Sequence, residues 1–520
     1  MRILALDGIH ADGLTLFENE GWLVETGEPI KDPQALADRL EGFDAVLVRS
    51  ATAVTADSLA KASQLKVIGR AGAGVDTIDV EAATARGIAV MNAPDGNTLA
   101  AAEHAVSLLF ALARHIPRAD AGMKAGEWPK AGLTGFELEG KRLGVIGLGR
   151  IGSTVARKAV GIGMEVAAFD PFLPATAASR MSLPMKSLDE LLAWADIITL
   201  HIPRTKETTN LIGEAQMRQM RKGSYLINAA RGGLVDEDAL LRLLDEDHLG
   251  GAALDTFVTE PLQKDSPLRN NSKLILTPHL GASTSEAQQA VSTILARQII
   301  DFLKTGAVAG CVNLPPLTAE AAREVGPWMP LMTALGKLSA RLVPAPTRLQ
   351  ITYAGRTEKL DTRPLSRLLV AALLGSASGR VTPVNALHEA AARGLEVSET
   401  MGGDSDGFDR LLKICVEGAN GRREIEATLH RGPRVVRLDG VELDFDPGAH
   451  ILLMRNEDKP GVIGQIGSQL GSAGVNIINF SLGAKGDGEA VAAITVDREV
   501  TDAQLGGLRT IPGIMSLEMM

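Results

Sequence analysis

The chain has 520 residues and only two cysteines, Cys311 and Cys415. They stand far apart, so neither a disulfide framework nor a thiolate metal site is expected, and both read as small core residues in a reducing compartment. There is no Lys/Arg block either. The 53 basic residues are scattered among 63 acidic ones, for a formal net charge of −10, and tracking a phosphate backbone takes clustered cations, so nucleic acid is not an expected partner. No apolar run reaches the roughly 20 residues needed to span a bilayer. The opening MRILALDGIH is too short in apolar residues for a signal sequence. No low-complexity segment and no metal-ligand set stands out. The expectation is a soluble, cytoplasmic protein without membrane contact.

What the chain has is length. At 520 residues it exceeds what one hydrophobic core organises and should divide into three or four domains. Up to about residue 306, short Val/Ile/Leu/Ala runs alternate with helical patterns: DAVLV 44–48, LKVIG 65–69, RLGVIG 142–147, DIITL 196–200 and SYLIN 224–228. That rhythm predicts α/β architecture with parallel strands buried on both faces. Two longer helical stretches, Thr98 to roughly His115 and Ser283 to about Lys304, predict helices passing between two lobes. The first lobe then comprises 1–97 completed by 280–310, and the second 98–279. After VNLPPLT at 312–318 the pattern turns α+β, with a helix over 328–343 and strand-like RLQITYAG, LLKICVEG, REIEATLH and RVVRLDG, which predicts a third domain over 311–448. A further βαβ-like unit from Ala449 predicts a fourth over 449–520.

The first chemical signal is GLGRIG, with Gly147, Gly149 and Gly152 between the strand RLGVI and a helix. The next strand, EVAAF, ends in Asp170 at about the distance where a ribose-binding acid belongs. Gly147 permits the tight turn, Gly149 lets backbone approach a pyrophosphate, Gly152 lets helix and strand pack closely, and the helix N-terminus supplies free N–H donors. A carboxylate at Asp170 repels a 2′-phosphate, so NAD is favoured over NADP.

Three polar residues follow at the ends of succeeding strands, where a doubly wound sheet puts its ligand crevice. Arg231 follows SYLINAA, Glu260 lies in ALDTFVTEP, and His279 closes LILTPH. Hydride transfer from a 2-hydroxy acid needs a group to take the hydroxyl proton, a partner to keep that group basic and oriented, and a cation for the carboxylate. His279, Glu260 and Arg231 suit those roles in that order.

At these residues and along its whole length the chain resembles the D-isomer-specific 2-hydroxyacid dehydrogenases, in a long form with two C-terminal domains. The resemblance is carried by LVRSATAVT 47–55, GRAGAGVDTIDV 69–80, NAPDGNTLAAAEHA 92–105, LGVIGLGRIG 143–152, INAARGGLVDEDAL 227–240 and PHLGASTSEAQ 278–288. It implies that Arg231, Glu260 and His279 are the catalytic trio. It extends the cofactor set of Gly147, Gly149, Gly152 and Asp170 to Arg150, Ile151, Pro203, Ala229, Asp255 and Gly281. It also implies that backbone N–H groups of GRAGAG, around Ala73 and Gly74, meet the substrate carboxylate. The implied reaction is NAD-dependent oxidation of 3-phospho-D-glycerate, the entry to L-serine synthesis, by a homotetramer. For the phosphate, Arg49 and Arg70 stand at the ends of AVLV and KVIG, and Asn97 offers a hydrogen bond. Pairing of these arginines with carboxylates is the alternative. The implied fold is two Rossmann- or flavodoxin-like lobes, an α+β intervening domain and a βαββαβ ACT domain.

Two other readings share the trio. A glyoxylate, hydroxypyruvate or 2-oxoglutarate reductase of the same family typically lacks a C-terminal extension of this kind. An NAD-sensing, protein-binding scaffold is opposed by that extension and by the absence of a disordered tail. DKPGVIGQIG, Asp458 to Gly467, has the spacing G-x-x-G-x-x-G. It lacks the close first pair that meets a pyrophosphate, so no second dinucleotide site is expected there. With SQLGSAGVNIINFSLG after it, the segment resembles an ACT domain, which binds amino acids between paired copies. That resemblance implies Asp458 and Asn476 as effector ligands and L-serine as the effector. Members with known regulation often carry His or Tyr two positions before the acid, where this chain has Asn456. Trp128, in the stretch AGEWPKAGLTGFELEG, reads either as an interface residue or as core within its own subunit.

Overall fold

The computed structural model describes residues 1–173, 183–305, 308–315, 317, 319–357, 360–375, 381–486 and 488–520, so positions 316 and 318 of the Pro-rich stretch lie outside the described residues. The first lobe is built on β1 (Arg2–Ala5), β2 (Leu23–Thr26), β3 (Ala45–Val48), β4 (Val67–Arg70) and β5 (Ala89–Asn92). All pairs are parallel, in the order β2-β1-β3-β4-β5. Alternate residues feed two cores. Ile3, Ala45 and Leu47 pack with Leu295 and Ile299 on one face, and Leu4, Val46 and Ile68 pack with Leu36 and Leu40 on the other. Burial on both faces is why these strands read as continuous apolar runs. The returning helix Ser285–Thr305 belongs to this packing. It crosses helix Ala11–Asn19 so closely that a Cβ at Gly13 would lie 2.7 Å from Ser292 O.

The second lobe holds β6 (Arg142–Ile146), β7 (Glu165–Phe169), β8 (Ile197–Leu200), β9 (Ser224–Asn228), β10 (Leu249–Leu254) and β11 (Leu274–Leu276), in the order β11-β10-β9-β8-β6-β7 and again parallel. A parallel bridge between Ala168 and Met185 adds one more rung outside β7, which gives the sheet the strand sequence of a dinucleotide-binding fold. Helix Thr98–Arg114 covers it. Its Ala105, Leu108 and Leu112 share a core with Val155 and Ala159 of helix Arg150–Gly161. Strand order reverses between β1 and β3 in one lobe and between β6 and β8 in the other, and the carboxyl ends of both sheets open on one cleft.

Beyond the lobes, β12 (Pro346–Gly355), β13 (Glu396–Met401), β14 (Arg410–Gly418), β15 (Gly421–Leu429), β16 (Pro433–Leu438) and β17 (Val441–Phe445) form a sheet in the order β13-β12-β14-β15-β16-β17. It is antiparallel except for the pair β12–β13. Helices Met329–Leu342 and Arg363–Gly375 contribute Leu335, Leu338, Leu369 and Leu373 to its core. The last unit runs β18 (His450–Glu457), helix Val462–Ser472, β19 (Ile477–Gly486), β20 (Glu489–Val496), helix Asp502–Arg509 and β21 (Ile514–Met519), with sheet order β19-β20-β18-β21. This is the βαββαβ arrangement. One face of the sheet packs on its two helices through Ile466, Leu470, Leu505 and Leu508. The other face is not free: Ile451, Leu453, Val491 and Ala493 join the same core as Val441, Leu443 and Phe445. At roughly 1.5–3 kcal/mol for each large side chain buried, that shared core binds the third and fourth units firmly. Two hydrogen bonds fix the register, Asp444 N–H to Ser481 Oγ at 2.7 Å and Asn479 Nδ2 to Asp444 O at 2.8 Å.

Cys311 is buried in the first-lobe core, and burial pushes its thiol up to about 11. Cys415 departs from expectation. On β14, Leu412, Ile414 and Val416 take the core face, so the period of two turns Cys415 to the half-buried face, where Arg422 Nε donates to its Sγ at 3.0 Å. Among the described residues no single helix is long and apolar enough to cross a membrane.

Candidate active site

The glycine turn after β6 has the geometry that its spacing predicts. Gly147 has φ 96°, and a Cβ at Gly152 would collide with Gly147 O, so strand and helix touch here only because both residues are glycine. A Cβ at Gly149 would meet nothing within 4 Å, leaving an open approach to the N-terminus of helix Arg150–Gly161, which has no side-chain cap. A pyrophosphate fits that opening. Asp170 directly follows β7. Its Oδ1 accepts from Phe172 N (2.8 Å) and Leu173 N (3.0 Å), and its Oδ2 accepts from Leu148 N (2.7 Å), which ties it to the glycine turn and leaves Oδ2 one lone pair. Arg150 turns to the other lobe, where its Nε meets Asp95 Oδ1 at 2.6 Å.

The cleft between the lobes has a volume of about 250 Å³. Ile151, Pro203, Ala229, Asp255 and Gly281 line the second-lobe wall, and Arg231 and His279 project from the same side. His279 Nδ1 lies 2.7 Å from Glu260 Oε2, whose other oxygen accepts from Phe257 N at 3.0 Å. Burial alone would raise the Glu260 carboxyl, but the bonds from His279 and Phe257 outweigh it and hold the group below its ordinary value. An ionised Glu260 requires Nδ1 to carry the proton, so Nε2 is the basic ring nitrogen left for a substrate. His279 has φ 55°, a left-handed conformation costly for a residue with a Cβ. Asp255 holds it there. Its carbonyl accepts from His279 N at 2.9 Å, and its carboxylate accepts from Leu280 N (2.8 Å) and Gly281 N (3.0 Å).

Across the cleft stand Arg49, Arg70, Ala73, Gly74 and Asn97. Arg70 ends β4. Burial, then repulsion from Arg231, pulls its guanidinium down to about 10, and its Nε is buried without a partner among the described residues. Asn97 Oδ1 is likewise buried and unpaired. The N–H groups of Ala73 and Gly74 have no partner among the described residues. A Cβ on Gly74 would collide with the Arg231 guanidinium, so Arg231 lies directly over that loop. Arg49, Arg70 with its unpartnered Nε, and two free N–H groups around so small a space, with Arg231 shared with Asp76, describe a site for a compact polyanion, because uncompensated buried cations are costly.

Several contributors had not been singled out from sequence. Asp76 accepts from Arg231 Nε at 3.0 Å and joins the lobes, as Asp95 does through Arg150. Asp7, at the end of β1, accepts from Arg49 N (2.8 Å) and Thr52 N (3.0 Å) and so sets the loop that carries Arg49. His104 Nε2 lies 3.1 Å from Asp255 Oδ1, behind the loop that carries His279. His201 lies half-buried beside the glycine turn, and desolvation of its ring pulls the imidazole down to about 4. Only Asp7 left a readable signal, as a lone acid at a strand end of the switch point.

Asp458 and Asn476 are not brought together within one chain. Asp458 follows β18 at the Glu489 end of β20, and Asn476 precedes β19 at the Val496 end. Seven strand steps separate the two ends, roughly 24 Å. Both residues are exposed, and Gly461 (φ 98°) opens helix Val462–Ser472 beside Asp458. Asn456 is buried, with Nδ2 donating to Glu457 O and Oδ1 unpaired. Trp128 is 79 % exposed and is not core within its subunit.

Residues 106–281 match the model of the D-isomer specific 2-hydroxyacid dehydrogenase NAD binding domain. Residues 324–439 match the D-3-phosphoglycerate dehydrogenase intervening domain, and 450–505 match the ACT domain. The D-3-phosphoglycerate dehydrogenase of Bacillus subtilis is 38 % identical over 100 % of this chain and 99 % of its own. That of Methanocaldococcus jannaschii is 38 % identical over 99 % and 98 %. Among solved structures, D-lactate dehydrogenase from Escherichia coli is 28 % identical with a TM-score of 0.54, covering 60 % of this chain and 100 % of that one. D-2-hydroxyisocaproate dehydrogenase is 28 % identical with a TM-score of 0.53, covering 60 % and 99 %. The lobes alone are therefore common to enzymes of several hydroxy acids, whereas both of these full-length relatives are D-3-phosphoglycerate dehydrogenases. The chain is an NAD-dependent oxidoreductase that belongs to the D-3-phosphoglycerate dehydrogenases, within the D-isomer-specific 2-hydroxyacid dehydrogenase family.

Proposed function

We propose that the cleft oxidises 3-phospho-D-glycerate to 3-phosphohydroxypyruvate, with Arg231, Glu260 and His279 as the catalytic trio. The carrying observation is the His279–Glu260 pair at 2.7 Å in one cleft with Arg231 on the same wall and Arg49 and Arg70 opposite. Arg231 and the N–H groups of Ala73 and Gly74 hold the carboxylate, which displaces Asp76 from its share of Arg231. Arg49 and Arg70 hold the phosphate, with Asn97 donating through its amide nitrogen. His279 Nε2 accepts the hydroxyl proton as hydride leaves the same carbon, and Glu260 stabilises the imidazolium that forms. NAD supplies the hydride acceptor. Gly147, Gly149, Arg150, Ile151 and Gly152 cradle its pyrophosphate, Asp170 takes a ribose hydroxyl, and Pro203, Ala229, Asp255 and Gly281 line the nicotinamide end. Closure of the lobes excludes water from the transfer.

L-Serine, the product of the pathway, binds between ACT units of two chains, with its ammonium on Asp458 of one and its polar end on Asn476 of the other. The separation of the two residues within a chain supports that arrangement. Exposed Phe110, Ile116, Met123 and Trp128 offer a further self-association face, in keeping with a homotetramer. The two unpaired cysteines suit the cytoplasm. The test is NADH formation across 3-phosphoglycerate, lactate, glycerate, 2-hydroxyglutarate and formate. A clear preference for 3-phosphoglycerate supports the reading, preference for another acid makes the chain a different dehydrogenase, and a flat response makes it a scaffold.

A further inference from the structure

A second cavity, of about 1190 Å³, lies on the seam between the first lobe and the helices of the third sheet. It occupies the opposite end of the lobe from the catalytic cleft. Asp44, Lys66 and Arg86 stand just ahead of β3, β4 and β5, while Arg49 and Arg70 stand at the far ends of β3 and β4. The facing wall includes Met329 and Thr333 of one helix and Arg367 and Leu368 of the next.

The seam is built rather than loosely apposed. Thr382 Oγ1 donates to Gly87 O at 2.9 Å and Asn385 Nδ2 to Ala85 O at 3.3 Å, pinning the turn at 382–385 to the end of helix Val80–Ala85. Gly87 has φ +72°, and a Cβ there would lie 2.7 Å from the Thr382 hydroxyl, so this contact needs glycine twice over.

The charges in the wall do not balance. Among the described residues two carboxylates line it, and each is taken by a lysine or arginine: Asp44 by Lys66 at 2.9 Å and Glu389 by Arg393 at 3.0 Å. Two arginines are left over. Arg86 reaches only Ala82 O and Ala56 O, at 3.4 Å, and Arg367 reaches only Pro383 O and Val384 O, also at 3.4 Å. Among the described residues neither has a carboxylate within 4.0 Å. Arg367 is half-buried, burial pulls its guanidinium down, and Glu399 attracts it only from beyond ion-pairing distance. Such a group lacks a counter-charge. The floor is apolar, with Phe302, Met329 and Leu368, so an inorganic ion alone would leave most of the space unmatched.

We propose that this cavity binds a small organic anion, a carboxylate, sulfonate or phosphate carried on an apolar body. The anionic group sits on Arg367 in the positive field of Arg86, and the body lies on Phe302, Met329 and Leu368. Such a ligand bridges the substrate lobe and the intervening domain.

The test uses anilinonaphthalene sulfonate as the probe, titrated into the full-length protein by fluorescence with NADH saturating, so that the cofactor crevice is blocked. One saturable site per chain is expected. Arg367→Gln should weaken it by about tenfold or more, the worth of a charge-assisted contact, with kcat unchanged. Ser63→Trp, at an exposed position on the cavity rim, should abolish it by filling the space without disturbing a core. Binding equal to wild type in both variants, or no probe binding at all under saturating NADH, would overturn the proposal.

Discussion

The catalytic cleft and the ACT sheet distribute their polar residues in opposite ways. In the lobes every strand is parallel to its neighbours, so strand ends collect on one edge, and residues as far apart in sequence as Arg49, Arg231 and His279 face about 250 Å³ of shared space. In the ACT unit β18 and β19 both pair antiparallel with β20 and so run parallel to each other, which puts the end of one and the start of the next at opposite ends of the sheet. A doubly wound sheet completes a site within a chain. On the proposed reading the ACT topology supplies two half-sites, which a small effector would bridge where two chains meet.

The largest expected effect breaks or upholds the cleft side of that contrast. His279→Ala should lower kcat by roughly two to four orders of magnitude, the usual worth of general acid–base catalysis. Steady-state NADH formation measures it, and near-normal turnover would remove proton transfer from His279. Next is Glu260→Gln, which leaves the imidazole in place without its stabilising charge. A loss of about one to two orders in kcat should follow with KM for 3-phosphoglycerate little changed, read from steady-state NADH formation. A raised KM with kcat intact would make Glu260 a purely structural residue.

The ACT side predicts a smaller effect of a different kind. Asp458→Ala and Asn476→Ala should each raise the serine concentration for half-inhibition by about tenfold while leaving the uninhibited rate alone. Mixed oligomers carrying one substitution per chain should regain half of the intact interfaces. Equal inhibition of wild type and both variants would show that the two residues are not half-sites. Asp170→Ala should shift the NADP-to-NAD ratio of kcat/KM by about tenfold toward NADP, read from paired titrations of the two cofactors. Smallest is a stability effect. The Glu260 carboxyl lies below its ordinary value in the folded chain, so its contribution is complete above the ordinary carboxylate range and fades as pH falls through the lowered value. The Tm gap between wild type and Glu260→Gln should therefore narrow only on acidification into that range.

Much of this was legible in the sequence because it is local. Buried parallel strands announce themselves as apolar runs, the three glycines at 147, 149 and 152 fix a turn, and Arg231, Glu260 and His279 follow strand ends that a doubly wound sheet must gather. What was not legible is long-range or depends on which face a residue takes. The pairs Arg231–Asp76 and Arg150–Asp95 join residues of different lobes, and nothing local marks either partner. Cys415 reads as core until the register of β14 turns it outward. The third and fourth units look in sequence like two independent domains, yet Leu443 and Phe445 of one share a single core with Ile451 and Leu453 of the other. The cavity at 1190 Å³ belongs to neither partner alone and so has no sequence signature.

The central claim is that the unpaired cations of the cleft read a phosphate within a single chain. The direct measurement is kcat/KM for 3-phosphoglycerate and for 2-hydroxyglutarate in the wild type and in Arg49→Gln and Arg70→Gln. The account predicts that each substitution lowers kcat/KM for 3-phosphoglycerate by about tenfold to a hundredfold, with a much smaller loss for 2-hydroxyglutarate. Equal losses for both substrates would contradict it and return Arg49 and Arg70 to a structural role.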